Sequence, residues 1–307
     1  MKKFLSLIIF VAVILFGGCG MTTCERSEIK MGTVITLKAT GFNAQAAVEE
    51  SFAKISELEK NIYADVQKIE AASGNGEKIK ISPEVYEILE TAQKYSELTD
   101  GAFDITCGAA VELWRIDTKN PRVPTNDELY AVKNFVGHEH LHLRDGTAYL
   151  DLRGVKLNLG GVAKGYGVDL VRKIFSAHGI HDGLIDFGNS TIFAIGKKKI
   201  GIKNPDNPSE LAEIVEIKDC AISTSGDYEK FFIVEGRRYS HIIDPKTCAT
   251  ANSTISSISV VVSNDVKNCA TVSDILSTAF FVNGNNNSFV STDFLSKIYF
   301  SRLTLSP

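Results

Sequence analysis

The chain has 307 residues, 44% of them hydrophobic, and a formal net charge of -4. That hydrophobic share is ordinary for a globular core, and the length suits one large domain or two small ones. No basic tract offsets the acidic balance, so the electrostatic footprint of a nucleic-acid-binding protein is lacking.

The N-terminus reads MKKFLSLIIFVAVILFGGCG: two lysines, an apolar run from Phe4 to Phe16, two glycines and Cys19. A basic segment, a short apolar run and small residues before a cleavage point define a secretory signal. With Cys19 directly after Gly17 and Gly18, the segment resembles a bacterial lipoprotein signal. That implies a leader over 1–18, a lipidated Cys19, and an extracytoplasmic protein lipid-anchored to the cell membrane. The alternative is an uncleaved anchor, for which the run is short, since a span needs about 20 apolar residues. Residues 19–28 then read as a tether and 29–307 as one domain. Cys24, Cys107, Cys220, Cys248 and Cys269 are odd in number and contain no CxxC pair. This weakens zinc and thioredoxin-like readings, and free buried thiols fit at least as well as disulfides.

MGTVITLKAT (31–40) alternates as a strand, and AQAAVEESFAKISELEKNIY (44–63) has helical spacing. SPEVYEILETAQKYSEL (82–98) is a second helix, with Ser82 placed as N-cap and Pro83 at the first helical position. A short helix containing Trp114 follows DGAFDITCG (100–108). HEHLH (138–142) reads as a solvated or hairpin stretch; a metal-binding histidine run is the other reading, without a partnering Cys or His nearby. LHLRDGTAYLDL (141–152) is a hairpin turning at Asp145-Gly146. LNLGGVAKGYGVD (157–169) reads as a strand delivered to a helix start. Strands are expected around 184–187, 191–195, 212–218, 230–234, 238–243 and 256–262, and a last helix near 267–282. Helices early, strands late and no steady βα alternation predict an α+β fold, with mixed or antiparallel sheets and flanking helices in a single catalytic domain.

The segment 157–169 carries the first chemical signal: glycines at 160, 161, 165 and 167 surround Lys164. It lacks the Ser or Thr after lysine that a P-loop needs, and its glycines are misplaced for a dinucleotide fingerprint. Two readings remain, an anion held by amides at a helix start or a turn kept small for packing. STSGDYEKFF (223–232) reads as a turn offering hydroxyls, among them Ser225, and amides. YSHIIDPKT (239–247) reads as a strand ending at proline, with His241 between Tyr239 and Ile243 on one face. A histidine with a near-neutral pKa is the natural base for a hydroxyl nucleophile. TVSDILSTAFFV (271–282) is an apolar helix interrupted by Asp274 and Thr278, which face the same way. A carboxylate and a hydroxyl at one point suit magnesium, a hard ion that takes oxygen ligands. The other reading makes Asp274 the helix N-cap with Thr278 merely packed.

With MGT at 31–33, DGAFDIT at 100–106, LGGVAKGYGVD at 159–169, STSGDYEKFF, HIIDPKT and DILSTAFFV in this order, the sequence resembles the FAD:protein FMN transferase (ApbE) family. The resemblance implies a T-fold-like, ApbE-like domain that uses Mg2+ to split FAD. It passes FMN to a threonine or serine of an acceptor protein as a phosphoester and releases AMP. By resemblance, Asp274 and Thr278 are metal ligands together with a backbone carbonyl near Gly161, and Lys164 with its glycines holds the pyrophosphate. Met31, Tyr63, Asp104, Asp169 and Ser225 belong to the FAD site, Tyr63 stacking on an aromatic ring, and His241 takes the acceptor's proton. The implied partners are FAD and an extracytoplasmic acceptor flavoprotein, such as a subunit of a membrane redox complex. An FAD pyrophosphatase giving FMN and AMP, or a flavin-binding lipoprotein without chemistry, are the alternatives. Two departures from the family pattern stand out. Cys248 replaces a usual glycine and predicts a rearranged turn, while Asn189 replaces a second glycine with a residue that tolerates left-handed backbone.

Overall fold

In the computed structural model, which describes residues 21–207, 209–251, 255–284 and 298–304, the chain opens with a hairpin. Strands β1 (Thr22–Lys30) and β2 (Thr33–Gly41) pair antiparallel from Thr22 opposite Gly41 to Lys30 opposite Thr33. Met31 and Gly32 make the turn with φ of 50° and 72°, as a two-residue type I′ turn requires. The expected tether over 19–28 is therefore strand from Thr22 onward. β1 lies at the sheet edge and none of its residues is fully buried, so hydropathy gives it no strand signature. The leader and Cys19 lie outside the described residues.

Helix α1 (Ala44–Ala71) runs past the expected end because its buried stripe continues through Leu58 to Ile69. After β3 (Ile79–Lys80), α2 (Pro83–Leu98) begins at the expected proline. Ser82 makes no side-chain cap; its Oγ instead donates to Asp65 of α1 at 2.9 Å. α3 (Gly108–Trp114) precedes α4 (Asn126–Val132), which a Thr125–Glu128 capping box starts. β4 (Leu141–Arg144) and β5 (Thr147–Leu150) form the expected hairpin, with Asp145 and Gly146 at φ 49° and 75°. Residues 157–162 do not form a strand: Leu157 N–H goes to Glu70 Oε1 at 2.8 Å and Asn158 N–H to the Ile105 carbonyl at 2.6 Å. α5 (Ala163–Ala177) follows directly.

The later strands are β6 (Asp182–Phe187), β7 (Thr191–Lys203), β8 (Leu211–Gly226), β9 (Phe231–Val234), β10 (Arg237–Ser240) and β11 (Ile255–Ser263), then α6 (Cys269–Asn283) and β12 (Ile298–Thr304). One seven-stranded sheet has the order β1-β2-β6-β7-β8-β11-β12, and every described strand pairing in the molecule is antiparallel. β3-β5-β4 and β10-β9 form small sheets of their own. The main core joins Leu37 of β2, Phe187 of β6 and Val260 of β11 to Phe52 of α1, Phe175 of α5 and Phe280 of α6. β7 and β8 change register near Gly196, and Ile200, Val215 and Ile217 of their far half pack over Ile192, Ala194 and Val261. These residues form a second apolar cluster on the face of the sheet. No described helix is long and apolar enough to cross a membrane.

Two sequence expectations change here. STSG is not a turn: Ser223 to Gly226 end β8, paired with Val260 to Ser257 of β11. Small polar residues resemble a turn, but this end of the strand faces a cleft. β10 ends at Ser240, so His241 lies just beyond the strand instead of on its face.

Candidate active site

The loop–helix junction at 157–165, the ends of β8 and α1, the β1–β2 turn, the Asp104 loop and α6 converge on a cleft of about 930 Å³. Cavities of roughly 300–1,000 Å³ enclose cofactor-sized molecules. Met31, Tyr63, Asp104, Gly161, Lys164, Ser225, His241, Asp274 and Thr278 all line it, although they are spread over most of the described chain.

At the floor, Asp274 is 4% exposed. Its Oδ2 accepts the Gly165 amide at 3.0 Å and its Oδ1 the Thr191 hydroxyl at 3.2 Å. It does not cap α6, whose N-cap position is Asn268. Thr278 Oγ1 donates to the Asp274 carbonyl at 3.3 Å and lies 3.5 Å from Ser225 Oγ. Gly161 closes on the same point: a Cβ there would sit 3.0 Å from Thr278 Oγ1 and 3.1 Å from the Phe103 ring. The Thr278 and Ser225 hydroxyls and the Gly161 peptide group therefore meet beside the Asp274 backbone carbonyl.

Of the two readings of the glycine segment, packing holds at Gly165. Gly165 is required for packing, because a Cβ would meet the Ala270 carbonyl oxygen at 2.5 Å. Gly160 N–H is taken by Asn158 Oδ1 at 2.8 Å, and Gly165 N–H by Asp274. Lys164 Nζ folds back to the Gly160 carbonyl at 2.8 Å, so the cation stands at the start of α5 beside the cleft.

Asp169 does not reach the cleft. It is 1% exposed and accepts the Thr271 amide and hydroxyl, each at 2.8 Å, and the Ala270 amide at 3.3 Å. It therefore supplies acceptors for orphan amides at the start of α6. The sequence motif that contains it suggested ligand contact, but its side chain turns inward and holds in place the helix that carries Asp274 and Thr278. Burial raises its carboxyl above the usual range against those hydrogen bonds.

His241 Nδ1 lies 3.3 Å from the Lys230 carbonyl, which can only accept, so Nδ1 carries the hydrogen and Nε2 has the free lone pair. The ring opens to the cleft on one side and is enclosed on the others, and this desolvation pushes its pKa down to about 4. Asp104 accepts the Thr106 amide and hydroxyl at 2.8 and 2.7 Å, and burial raises its carboxyl. Met31 N–H donates to Glu59 Oε1 at 2.7 Å. Tyr63 is 71% exposed at the mouth, with its ring face open.

The sequence reading missed Thr191, which orients Asp274, and the Lys230–Asp117 ion pair at 2.8 Å beside His241. No spacing in the chain connects these residues to their partners. His140 and His142 both bind Asp151 at 2.9 Å, and no group of three or more His, Cys, Asp or Glu able to hold a metal occurs among the described residues. Cys248 keeps the turn by adopting φ 57° itself, with its amide bonded to the Asp244 carbonyl at 2.8 Å and its carbonyl to Trp114 Nε1 at 2.8 Å. Asn189 takes φ 57° as expected. The five described cysteines are free thiols.

A cleft lined by a neutral histidine, a lysine, a carboxylate and hydroxyls has the groups of an enzyme acting on an anionic substrate. The chain belongs to the ApbE family, whose model matches residues 31–294. It is 30% identical to the FAD:protein FMN transferase of Treponema pallidum over 309 residues, covering 88% of this chain and 84% of that protein. To the FAD:protein FMN transferase of Vibrio cholerae it is 33% identical over 218 residues, 68% of this chain and 64% of that protein. Among solved structures it is similar to the ApbE protein of Thermotoga maritima, with a TM-score of 0.82 at 28% identity over 92% of this chain and 94% of that one. It is also similar to the flavin transferase ApbE from Vibrio cholerae, with a TM-score of 0.76 at 25% identity over 92% and 94% of the two chains.

Proposed function

We propose that this protein transfers FMN from FAD to a serine or threonine hydroxyl of an acceptor protein and releases AMP. The observation that carries the proposal is the placement of His241 in the same cleft as Lys164, Asp274 and Thr278. His241, uncharged at neutral pH, accepts the acceptor's proton at Nε2. The freed oxygen bonds to the phosphorus on the FMN side, the bond from that phosphorus to the bridging oxygen breaks, and AMP leaves with that oxygen. Lys164 offsets charge on the pyrophosphate, and such reactions depend mainly on positioning and charge neutralisation.

The donor set fits magnesium: one carboxylate, the Thr278 hydroxyl and the Gly161 carbonyl, all hard oxygens, leave room for substrate phosphate and water. When bound, the ion supplies further charge neutralisation at the pyrophosphate. The lipoprotein-like leader supports an enzyme lipid-anchored outside the cytoplasm, acting on an acceptor exposed there.

The test is product analysis with FAD, magnesium and acceptor. Transfer requires AMP and covalently bound FMN in equal amounts. Free FMN with AMP marks a pyrophosphatase, and retained FAD without AMP marks a binding protein.

A further inference from the structure

If the protein is a transferase, a second macromolecule must bring its hydroxyl to His241 while FAD fills the cleft. The hairpin of β9 and β10 grows from that point: Lys230 immediately precedes β9, His241 immediately follows β10, and the His241 amide donates to the Lys230 carbonyl at 3.0 Å. Its turn, Glu235-Gly236, has φ of 51° and 77°, which makes it a two-residue type I′ turn. In such a hairpin the pair beside the turn exchanges both ladder bonds, and every second pair does so thereafter. Val234–Arg237, Phe232–Tyr239 and Lys230–His241 are therefore the bonded pairs. The amides and carbonyls of Phe231 and Ile233 consequently point outward along the free edge of β9.

The two edges differ in cover. On β10, Ser240 is 3% exposed, whereas on β9 Phe231 is 40% and Ile233 60% exposed. No third strand pairs with β9 among the described residues. The surface is also preformed. The Arg238 guanidinium sits 4.7 Å above the Phe231 ring and is itself held by Asp227 at 2.9 Å. Natural proteins normally protect an apolar edge with charge, proline or a covering segment. Among the described residues this one is left open, and it leads at its Lys230 end to His241.

We infer that β9 binds an extended segment of the acceptor protein as an added strand. Main-chain hydrogen bonds to Phe231 and Ile233 set its alignment, and their side chains receive alternate residues of the segment. A chain laid along this edge arrives beside His241, which identifies the occupant as the polypeptide carrying the target hydroxyl. The inference rests on the transferase reading.

The probe is the host's own extracytoplasmic protein that gains covalent flavin fluorescence when the parent enzyme and FAD are added, purified and titrated. Ile233→Pro removes an outward donor while keeping every bond within the hairpin, and prolines are tolerated at such edge positions. Ile233→Ser removes the apolar contact and keeps the backbone. Melting curves and FAD affinity confirm that each variant is folded with an intact cleft. The expected result is an acceptor KM raised about tenfold or more in both variants, with kcat and FAD affinity close to the parent's. Parental KM in both folded variants overturns the docking assignment. If the parent cuts FAD but no host protein gains covalent flavin, the transferase reading falls and the docking inference with it.

Discussion

Asp274 accepts the Gly165 amide at 3.0 Å, joining α6 to the first turn of α5 within the floor of the cleft. One carboxylate thus connects the helix carrying the hydroxyl donor to the helix start carrying Lys164. Asp274→Asn keeps an oxygen for Gly165 but removes the charge. FAD cleavage should fall roughly 10²–10³-fold, the scale seen when one electrostatic stabiliser is lost. The melting temperature should change little. AMP release measured against magnesium concentration checks this, and parental activity at limiting magnesium would remove Asp274 from the ligand set.

Asp169→Ala separates a supporting role from contact with FAD. The substitution leaves the buried Ala270 and Thr271 amides without their acceptor, a loss of about 1–3 kcal/mol. Thermal unfolding should shift to lower temperature, and FAD affinity should fall only as α6 loosens. An unchanged melting curve with abolished FAD binding would place Asp169 in the cleft after all.

How much of this was legible varies with how local each signal is. Pro83 and Asp145-Gly146 carry their structure in one or two residues, and both elements form where expected. Thr125 and Glu128 carried an equally local helix-start signal that the sequence reading did not use. β1 was hidden because half-exposed polar residues alternate at an edge. Ser223 to Gly226 have the composition of a turn but the pairing of a strand, which depends on β11 some thirty residues away. Asp169 failed for a similar reason: a motif identifies the residue but not the side on which its carboxylate finds donors. His241, singled out in the sequence, lies in the cleft, yet its enclosure and its Lys230 partner arise from tertiary packing.

His241 fixes the acid limit of the reaction. With its pKa pushed down to about 4, the ring stays a competent base well below the 6.5 of an ordinary histidine. The rate of FMN transfer at saturating FAD should hold to about pH 5 and fall as pH approaches 4, because protonated imidazole accepts no proton. Stability follows the same shift. Between the folded value and 6.5 the unfolded chain binds more protons at this site, so this group's contribution declines as pH falls through that window. His241→Ala should retain FAD and lose ~10²–10⁴ in transfer rate. A transfer profile breaking near pH 6.5, or parental transfer by the alanine variant, would assign the base elsewhere.

Location is tested at Cys19. Replacing it with serine should abolish incorporation of labelled fatty acid and block processing of the leader, because both depend on the cysteine thiol. Undiminished labelling would contradict lipidation at this residue.

The central claim is group transfer, and the most direct measurement is the intact mass of the acceptor after incubation with the protein, FAD and magnesium. The expected result is a mass increase of one FMN less one water, located by peptide fragmentation on a serine or threonine and matched mole for mole by AMP. AMP appearing with free FMN and an acceptor of unchanged mass would contradict it.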